Sequence, residues 1–378
     1  MKRASILFSP KKIGTMNVQN RLVRSATYEG IADDRGLVDN RYVALYEQLA
    51  RGGAGMIIAG FAFTKENGIA AKNQTGIHTD NCVPMLKKSA EAVHRIDENV
   101  KFVLQIAHCG RQVEANIVKE KKFQPIAPSP IADASIGIIP KEMTIEDIKD
   151  VIKSFILSAE RAKTAGFDGV QLHGAHGYLL SEFLSPYINR RTDDYGGNIE
   201  NRVRIIVEIF EGIKELCGED WPVLIKLQVD DFVKKEPSLK PPQSIEIARR
   251  IAKAGFDAIE ISGGIYESDE KLDPWYLTMK TTDEEAYFLP YAKKIKRVIH
   301  ETPLILVGGI RSFEVAERVV NSRYADFISM SRPFIMEPNL PHKWLMNISD
   351  KSTCTSCNRC ETEMNDKGLR CLLLKDKD

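Results

Sequence analysis

The stretch TIEDIKDVIKSFILSAERAKTAGFDGVQLHGAHGY, residues 144–178, predicts one complete helix–strand unit. Thr144 and Asp147 form a capping-box-like start, and the apolar residues that follow recur at helical spacing until Gly166. Residues 169–172 then form a short, mainly apolar run, which is typical of a strand covered on both faces. A helix followed by such a strand is the repeating unit of parallel α/β folds, so the stretch favours that class.

The same alternation continues along most of the chain. Eight short, mainly apolar runs are predicted as strands, at residues 22–26, 55–59, 102–106, 169–172, 223–227, 258–261, 304–307 and 327–330. Ser244 and Ser312 are predicted to cap two of the intervening helices. Eight strands alternating with helices predict a (β/α)8 TIM barrel with right-handed crossovers. The alternative, an open doubly wound sheet, requires a phosphate-binding glycine loop after its first strand, and RSATYEG at 24–30 is not one.

The bulk composition disfavours several classes of function. The 378 residues are 43% hydrophobic and 28% charged, as in ordinary globular proteins. A net charge of +1 gives no electrostatic basis for binding nucleic acid or an acidic membrane. No apolar run has the length of a membrane span, and the N-terminal apolar segment is too short for a secretory signal, so we expect a cytoplasmic protein. Cys82, Cys109 and Cys217 occur singly, which suits packed, reduced thiols.

Polar residues follow the predicted fourth strand, at the end of a barrel where catalytic loops lie. His173, His176 and Tyr178 have the pattern HxxHxY. Taken alone, this pattern favours packed histidines and a structural tyrosine over a catalytic role. A zinc pair is disfavoured because the i, i+4 spacing of HExxH is missing.

Other strand ends add the parts of a phosphate site. Gly308 and Gly309 follow strand seven, and Ser331 and Arg332 follow strand eight. Adjacent glycines expose backbone N–H groups and the arginine adds a fixed positive charge, at the position where barrels often bind phosphate. Together with polar residues elsewhere around the rim, they predict a large, flat, phosphorylated ligand.

Five motifs give the chain a specific resemblance. They are LFSPKKIGTMNVQNRLVRSAT (7–27), LQIAHCGRQ (104–112), VQLHGAHGYLLSEFLSPYINRRTDDYGGNIENR (170–202), LILVGGIRS (304–312) and DFISMSRPF (326–334). In these motifs the chain resembles the old yellow enzyme family of FMN-containing, NAD(P)H-dependent oxidoreductases. The resemblance covers nearly the whole predicted barrel and implies reduction of the activated C=C bond of an enone or enoate.

The resemblance also implies roles for individual residues. The residues implied to bind FMN are Ser25, Ala26, Thr27, Ala59, Gln105, Lys226, Gly308, Gly309, Ser331 and Arg332. A cation such as Lys226 beside flavin N1 and O2 favours the anionic reduced flavin. His173 and His176 would donate hydrogen bonds to the substrate carbonyl oxygen, and Tyr178 would be the acid. A phenol, with an ordinary pKa of about 10, is protonated at neutral pH and can supply the proton.

One residue near the predicted flavin departs from the family pattern. Tyr28 occupies the region of the first strand where several relatives carry a cysteine or threonine that tunes the flavin, and we expect it to contact substrate. Trp275 and Tyr276, after strand six, are expected either to cap the pocket or to cover the barrel.

The barrel is expected to span residues 1–346, and a cysteine-rich tail residues 347–378. Cys354, Cys357, Cys360 and Cys371 have the spacing C-x2-C-x2-C-x10-C, which is typical of a metal or cluster site. The tail resembles that of the 2,4-dienoyl-CoA reductases and trimethylamine dehydrogenase, which carry a 4Fe–4S centre. Three hypotheses stay open: a 4Fe–4S centre, a structural zinc ion, or an empty remnant. The 4Fe–4S centre would need a separate electron-donor protein, since the chain ends seven residues after Cys371.

The sequence therefore predicts an FMN-dependent ene-reductase that uses NADH or NADPH, with homo-oligomer formation left open. One alternative is a flavin dehydrogenase that oxidises an amine or a saturated ring. The HxxHxY set weighs against an amine, for which carbonyl-oxygen donors have no purpose. The other is an electron-transfer or interaction subunit that works with a separate flavoprotein.

Overall fold

Eight parallel strands close into a barrel in the computed structural model, which describes residues 2–269, 277, 281–364 and 367–374. The barrel strands are β1 (Leu22–Arg24), β2 (Met56–Phe63), β3 (Lys101–Ala107), β4 (Gly169–Gly174), β5 (Val223–Gln228), β6 (Ala258–Ser262), β7 (Leu304–Leu306) and β8 (Phe327–Met330). Each strand pairs with the next along the chain, and β8 pairs with β1. The predicted eight strands and the TIM-barrel fold are confirmed.

Helices connect the strands and continue into the tail. They are α1 (Asn40–Arg51), α2 (Val83–Ile96), α3 (Ala115–Lys121), α4 (Ile145–Thr164), α5 (Leu179–Leu184), α6 (Ile199–Cys217), α7 (Pro241–Ala254), α8 (Leu289–Ile295), α9 (Phe313–Asn321), α10 (Arg332–Met336), α11 (Leu340–Leu345) and α12 (Arg359–Thr362). In the described chain, no helix is both long and apolar enough to cross a membrane.

Local sequence signals explain where several helices begin. Thr144 and Asp147 form the predicted capping box of α4. Ser312 is the N-cap of α9, as predicted. The prediction for Ser244 is wrong: α7 begins at Pro241 and Lys240 is its N-cap. Proline is favoured in the first helical turn because its fixed φ suits the helix and its missing N–H would be unpaired there.

The barrel interior is apolar at one end and polar at the other. Side chains from the strands, among them Val23, Val103 and Phe327, form an apolar cluster at the amino ends of the strands. A two-stranded hairpin, Lys11–Ile13 and Met16–Val18, packs against this cluster and closes that end. The polar side chains of the interior lie at the opposite end, where the strands finish.

The C-terminal residues pack on the barrel. Glu337 accepts hydrogen bonds at 2.6 Å from the Ser352 hydroxyl group and the Thr353 backbone N–H group. The Ser352 backbone N–H donates to the Arg311 carbonyl oxygen at 2.8 Å. The division into a barrel of residues 1–346 and a tail of residues 347–378 stays a prediction. Trp275 and Tyr276 lie outside the described residues.

Candidate active site

A cavity of about 540 Å³ opens at the carboxyl ends of the barrel strands, within the size range of small-molecule sites. The predicted residues that line it are Ser25, Ala26, Thr27, Tyr28, Gln105, His173, His176, Tyr178, Lys226, Gly308, Gly309, Ser331 and Arg332. Residues that are far apart in the sequence therefore meet around one space, as expected for a barrel.

His173, His176 and Tyr178 cluster on one wall of this cavity. The His173 ring centroid lies 5.1 Å from that of His176 and 5.0 Å from that of Tyr178. The Nδ1 atom of His173 has no hydrogen-bond partner among the described residues. His173 belongs to β4, and Tyr178 is the N-cap of α5. The wall therefore combines two imidazoles and a phenol.

The backbone at His176 is held in an uncommon conformation. Its φ is +66°, in the left-handed region that non-glycine residues seldom adopt. Its backbone N–H donates to Gln228 Oε1 at 2.8 Å, and its Nε2 lies 2.6 Å from the Ser262 hydroxyl oxygen. β5 and β6 thus fix both the backbone and the ring of His176.

Burial keeps both imidazoles uncharged. It lowers the pKa of His176 to about 3, with a smaller contribution from the Lys226 charge. It also lowers the pKa of His173, and both His176 and Lys226 add to that effect. At neutral pH each ring therefore carries one N–H donor.

Aromatic rings pack beside the wall formed by His173, His176 and Tyr178. The Phe61 ring centroid lies 5.0 Å from that of Tyr178 and 6.1 Å from that of Tyr28. The Tyr28 hydroxyl group donates to the Lys72 carbonyl oxygen, and burial raises the pKa of Tyr28. Tyr28 therefore presents mainly its ring to the cavity.

The structure corrects the placement of Ala59. Ala59 is fully buried in the core, and the neighbouring Gly60 and Phe61 line the cavity instead. The register between β2 and β3 shifts between Ala59 and Ala62, and Gly60 has a φ of +98°. This bulge moves the cavity wall to the residues after Ala59.

A buried polar network forms the floor of the cavity, and two of its members were not predicted from the sequence. Lys226 Nζ donates to the Ser25 hydroxyl oxygen at 2.8 Å, and that hydroxyl group donates to Glu260 Oε1 at 2.8 Å. Gln105 donates to Gln171 Oε1 at 2.7 Å, and Gln171 donates to Glu260 Oε2 at 2.8 Å. Gln171 and Glu260 are the unpredicted residues. Gln171 stands two positions before His173, a spacing that places both on one face of a strand.

Part of the cavity rim is formed by the glycine loop after β7 and by the ends of β1 and β8. Gly308 and Gly309 have φ values of +125° and +71°. A Cβ atom on Gly308 would lie 2.8 Å from ring atoms of Tyr287 and of Phe288, so this loop requires glycine. The Thr27 and Ser331 hydroxyl oxygens are 2.8 Å apart, which links the ends of β1 and β8.

The tail also forms part of the cavity wall. Its lining residues from the tail are Ser356, Asn358, Cys360, Met364 and Leu369. The Arg332 guanidinium group donates to Asn358 Oδ1 and, at 3.1 Å, to the Leu277 carbonyl oxygen. The arginine predicted to bind phosphate is therefore also attached to the tail.

The four tail cysteines surround a second, smaller cavity. Cys354, Cys357, Cys360 and Cys371 all line it, together with Arg332. A hydrogen bond from the Arg359 backbone N–H lowers the pKa of the Cys357 thiol, whereas burial raises the pKa of Cys354. As the described side chains are placed, no group of three or more histidine, cysteine, aspartate or glutamate residues could hold a metal ion. The predicted ligands converge on one space without forming a single-ion site.

The larger cavity fits a flavin nucleotide. Its floor offers the amide of Gln105 and the ammonium group of Lys226, and the adjacent glycines Gly308 and Gly309 form part of its rim. Arg332 supplies a positive charge on the same rim as the glycines. Polar groups on the floor and a cationic rim match a planar ring that carries a phosphate.

Comparison with known proteins agrees with this fit. The model of the NADH:flavin oxidoreductase / NADH oxidase family matches residues 6–351. An NADH oxidase from Thermoanaerobacter brockii is 37% identical, over 93% of this chain and 52% of its own length. A cinnamate reductase from Clostridium sporogenes is 31% identical, over 93% of this chain and 54% of its own length. The chain thus spans about half the length of these two relatives.

A solved structure extends the likeness to the fold. The old yellow enzyme homologue from Zymomonas mobilis is 25% identical, with a TM-score of 0.75 over 92% of this chain and 94% of that one. This likeness and the family match confirm the resemblance predicted from the five motifs. The chain belongs to the NADH:flavin oxidoreductase / NADH oxidase family, whose flavin the cavity is shaped to hold.

Proposed function

We propose that the protein is an FMN-dependent NAD(P)H oxidoreductase that reduces the activated C=C bond of α,β-unsaturated carbonyl compounds. The observation that carries the proposal is the wall of His173, His176 and Tyr178, where neutral imidazoles and a phenol face one cavity. The name of the cinnamate reductase relative supports the same chemistry, because cinnamate is an unsaturated carboxylate.

The two histidines bind and polarise the substrate. Addition of hydride to the β-carbon moves electron density onto the carbonyl oxygen, so this oxygen becomes more negative as the reaction proceeds. Neutral N–H donors aimed at it stabilise that charge, as in an oxyanion hole. His176 is suited to this role because Gln228 fixes its backbone and Ser262 contacts its ring.

Tyr178 completes the reduction by giving a proton to the α-carbon. The tyrosine begins α5, next to both histidines, so a carbonyl held by the imidazoles brings the conjugated carbons close to the phenol. Packing against Phe61, whose ring centroid is 5.0 Å away, holds the Tyr178 ring in this position. General acids of this kind contribute about 10²- to 10⁴-fold to the rate.

The remaining predicted residues hold the cofactor. Bound FMN supplies the hydride. Gln105, Lys226, Ser25, Ala26 and Thr27 would contact its ring, and Gly308, Gly309, Ser331 and Arg332 would bind its phosphate, since all of them line the same cavity.

Replacing Arg332 by alanine should weaken FMN binding without affecting riboflavin, which lacks the phosphate. Hydrogen bonds to charged groups contribute about 1.5–3 kcal/mol, so we expect roughly a 10- to 100-fold loss of FMN affinity. Titration of both flavins into apoprotein, followed by fluorescence, measures this. Arg249→Ala, in an exposed pair on α7, is the control. Equal weakening of both flavins would contradict a phosphate role.

Tyr178→Phe should slow oxidation of the reduced flavin by an enone about 100-fold or more, within the range of general-acid effects. Reduction by NAD(P)H should change little, because the proton is needed only after the hydride has left. Stopped-flow measurement separates the two half-reactions. Tyr195→Phe, which removes a hydroxyl bonded to Glu208 outside the cavity, is the matched control. Equal losses in both half-reactions would make Tyr178 a structural residue.

His173→Ala and His176→Ala should each weaken binding of phenols, whose oxyanion resembles the developing enolate. The enone half-reaction should slow about 100-fold or more in each variant. Because burial lowers both imidazole pKa values, with His176 at about 3, wild-type phenol affinity should show no histidine titration between pH 5 and 8. His94→Ala, outside the cavity, is the control. Unchanged phenol affinity in both variants would rule out the carbonyl-anchor role.

Flavin reduction by the substrate and turnover with an enone distinguish the two alternative functions from the proposed one. A dehydrogenase that oxidises an amine or a ring substrate would reduce its flavin with that substrate and would not need NAD(P)H. An electron-transfer subunit would not turn over with an enone. The paired imidazole donors favour a carbonyl substrate over an amine.

We further propose that the four tail cysteines hold a 4Fe–4S centre supplied with electrons by a partner protein. Cysteine spacing and convergence on one cavity support this proposal. A cytoplasmic location and a homo-oligomer remain parts of the proposal.

Anaerobically prepared protein should contain about four iron and four sulfide per chain, whereas a zinc site would contain about one zinc ion. Cys357→Ser should remove the iron and loosen the tail. Flavin reduction by NAD(P)H should persist, because Cys357 lines the smaller cavity and is not among the residues of the larger one. Cys217→Ala, at an isolated buried thiol, is the control. Protein with neither metal, and a variant tail that resists protease as before, would leave the remnant hypothesis.

A further inference from the structure

The floor of the cofactor cavity contains a fully buried carboxylate that the proposed chemistry does not use. Glu260 lies in the middle of β6 with no exposed surface. Strand register pairs its Cα with that of Lys226 on β5, and Lys226 is paired in turn with His173 on β4. The carboxylate is thus one strand away from a residue of the proposed flavin site and two strands away from the proposed catalytic wall.

Both oxygens of Glu260 are occupied by donors that lead to the cavity. Oε1 accepts from the Ser25 hydroxyl group at 2.8 Å. Oε2 accepts from Gln171 at 2.8 Å and lies 3.4 Å from Lys226 Nζ. Lys226 also donates to Ser25, which closes a ring of three buried groups. A buried anion is costly unless it is paired and hydrogen-bonded, and this one meets both conditions.

An ionised carboxylate also fixes the direction of the hydrogen bonds around it, since it only accepts. Gln171 must turn its NH2 group toward Glu260, which leaves its carbonyl oxygen to accept from Gln105. Glu260 therefore sets the orientation of the Gln105 amide through Gln171, without contacting Gln105 itself. Ser25 is fixed in the same way, because it donates to Glu260 and accepts from Lys226.

We propose that Glu260 is a positioning residue of the flavin site: it holds the Lys226 ammonium group charged and in place, and it orients Gln105 through Gln171. This inference rests on the proposed FMN site and adds a residue to it. Glu260 lies beneath the groups that meet the flavin, so it acts through Lys226, Ser25 and Gln105.

The charges that face Lys226 determine what removal of Glu260 should do. Burial lowers the pKa of Lys226, Glu260 opposes that effect, and Arg24 adds to it. Arg24 is always charged, and the lowered pKa values of His173 and His176 keep both rings neutral above pH 6. Without Glu260 the pKa of Lys226 falls further, because burial and Arg24 both lower it and the opposing carboxylate is gone.

The test compares the midpoint potential of bound FMN from pH 6 to pH 9 in wild type and Glu260→Gln. We expect the variant to have the higher potential at the acidic end of this range, because the Lys226 ammonium group then lacks its anion. The difference should shrink as pH rises and Lys226 loses its proton. Lys226→Met should abolish this pH dependence when it is combined with Glu260→Gln. The control is Asp257→Asn, which removes the carboxylate paired with Lys214 at 2.9 Å outside the cavity, and it should leave the profile unchanged.

A second variant tests the part of the proposal in which Glu260 orients Gln105 through Gln171. It also covers the case in which Glu260→Gln does not fold. Gln171→Leu should raise the FMN dissociation constant about tenfold while leaving the pH profile of the potential unchanged, because Lys226 keeps its carboxylate. Unchanged FMN affinity in Gln171→Leu, or a potential difference in Glu260→Gln that is zero or independent of pH, would overturn the inference. Wild-type protein that binds no FMN would instead contradict the proposed function.

Discussion

The register between neighbouring barrel strands is the constraint on which the rest of the site depends. It pairs His173 with Lys226 and Lys226 with Glu260 across β4, β5 and β6, and it pairs Gln105 with Gln171 across β3 and β4. Paired residues of parallel strands point to the same side of the sheet, so one layer of the barrel collects these polar side chains. A shift of one residue in any of these strands would turn its side chains outward.

A second constraint links the barrel to its C-terminal residues. Arg332 lines both cavities and is hydrogen-bonded to Asn358 of the tail. Arg311 is also shared: its backbone follows the glycine loop, and its guanidinium group donates to the Cys354 carbonyl oxygen at 3.1 Å. These two arginines therefore connect the residues around the cysteine cavity with the glycine loop and the rim of the larger cavity.

Sequence patterns were sufficient for the architecture and for residues that follow strand ends, such as His176 and Arg332. Inside the strands, the family resemblance identified Gln105, His173 and Lys226. Pattern alone was insufficient there, because both faces of a barrel strand are buried and a lone polar residue does not reveal which face it occupies. Gln171 and Glu260 were missed for this reason. Ala59 was misplaced because a bulge moves the cavity wall, and the signal for it was the glycine that follows. The tail's place in the cavity wall depends on contacts between residues distant in the sequence, which no local pattern reports.

The same physical effect gives opposite roles to the basic groups of this cavity. Burial lowers the pKa of His173, of His176 and of Lys226, since it disfavours the charged form of each. The partners of His176 are the neutral groups of Ser262 and Gln228, so nothing they provide offsets the cost of a charge. Lys226 has the Glu260 carboxylate at 3.4 Å, which does offset it. The Glu260 carboxylate thus accounts for the difference between the neutral, hydrogen-bond-donating histidines and the cationic Lys226. Both kinds of group line the same cavity.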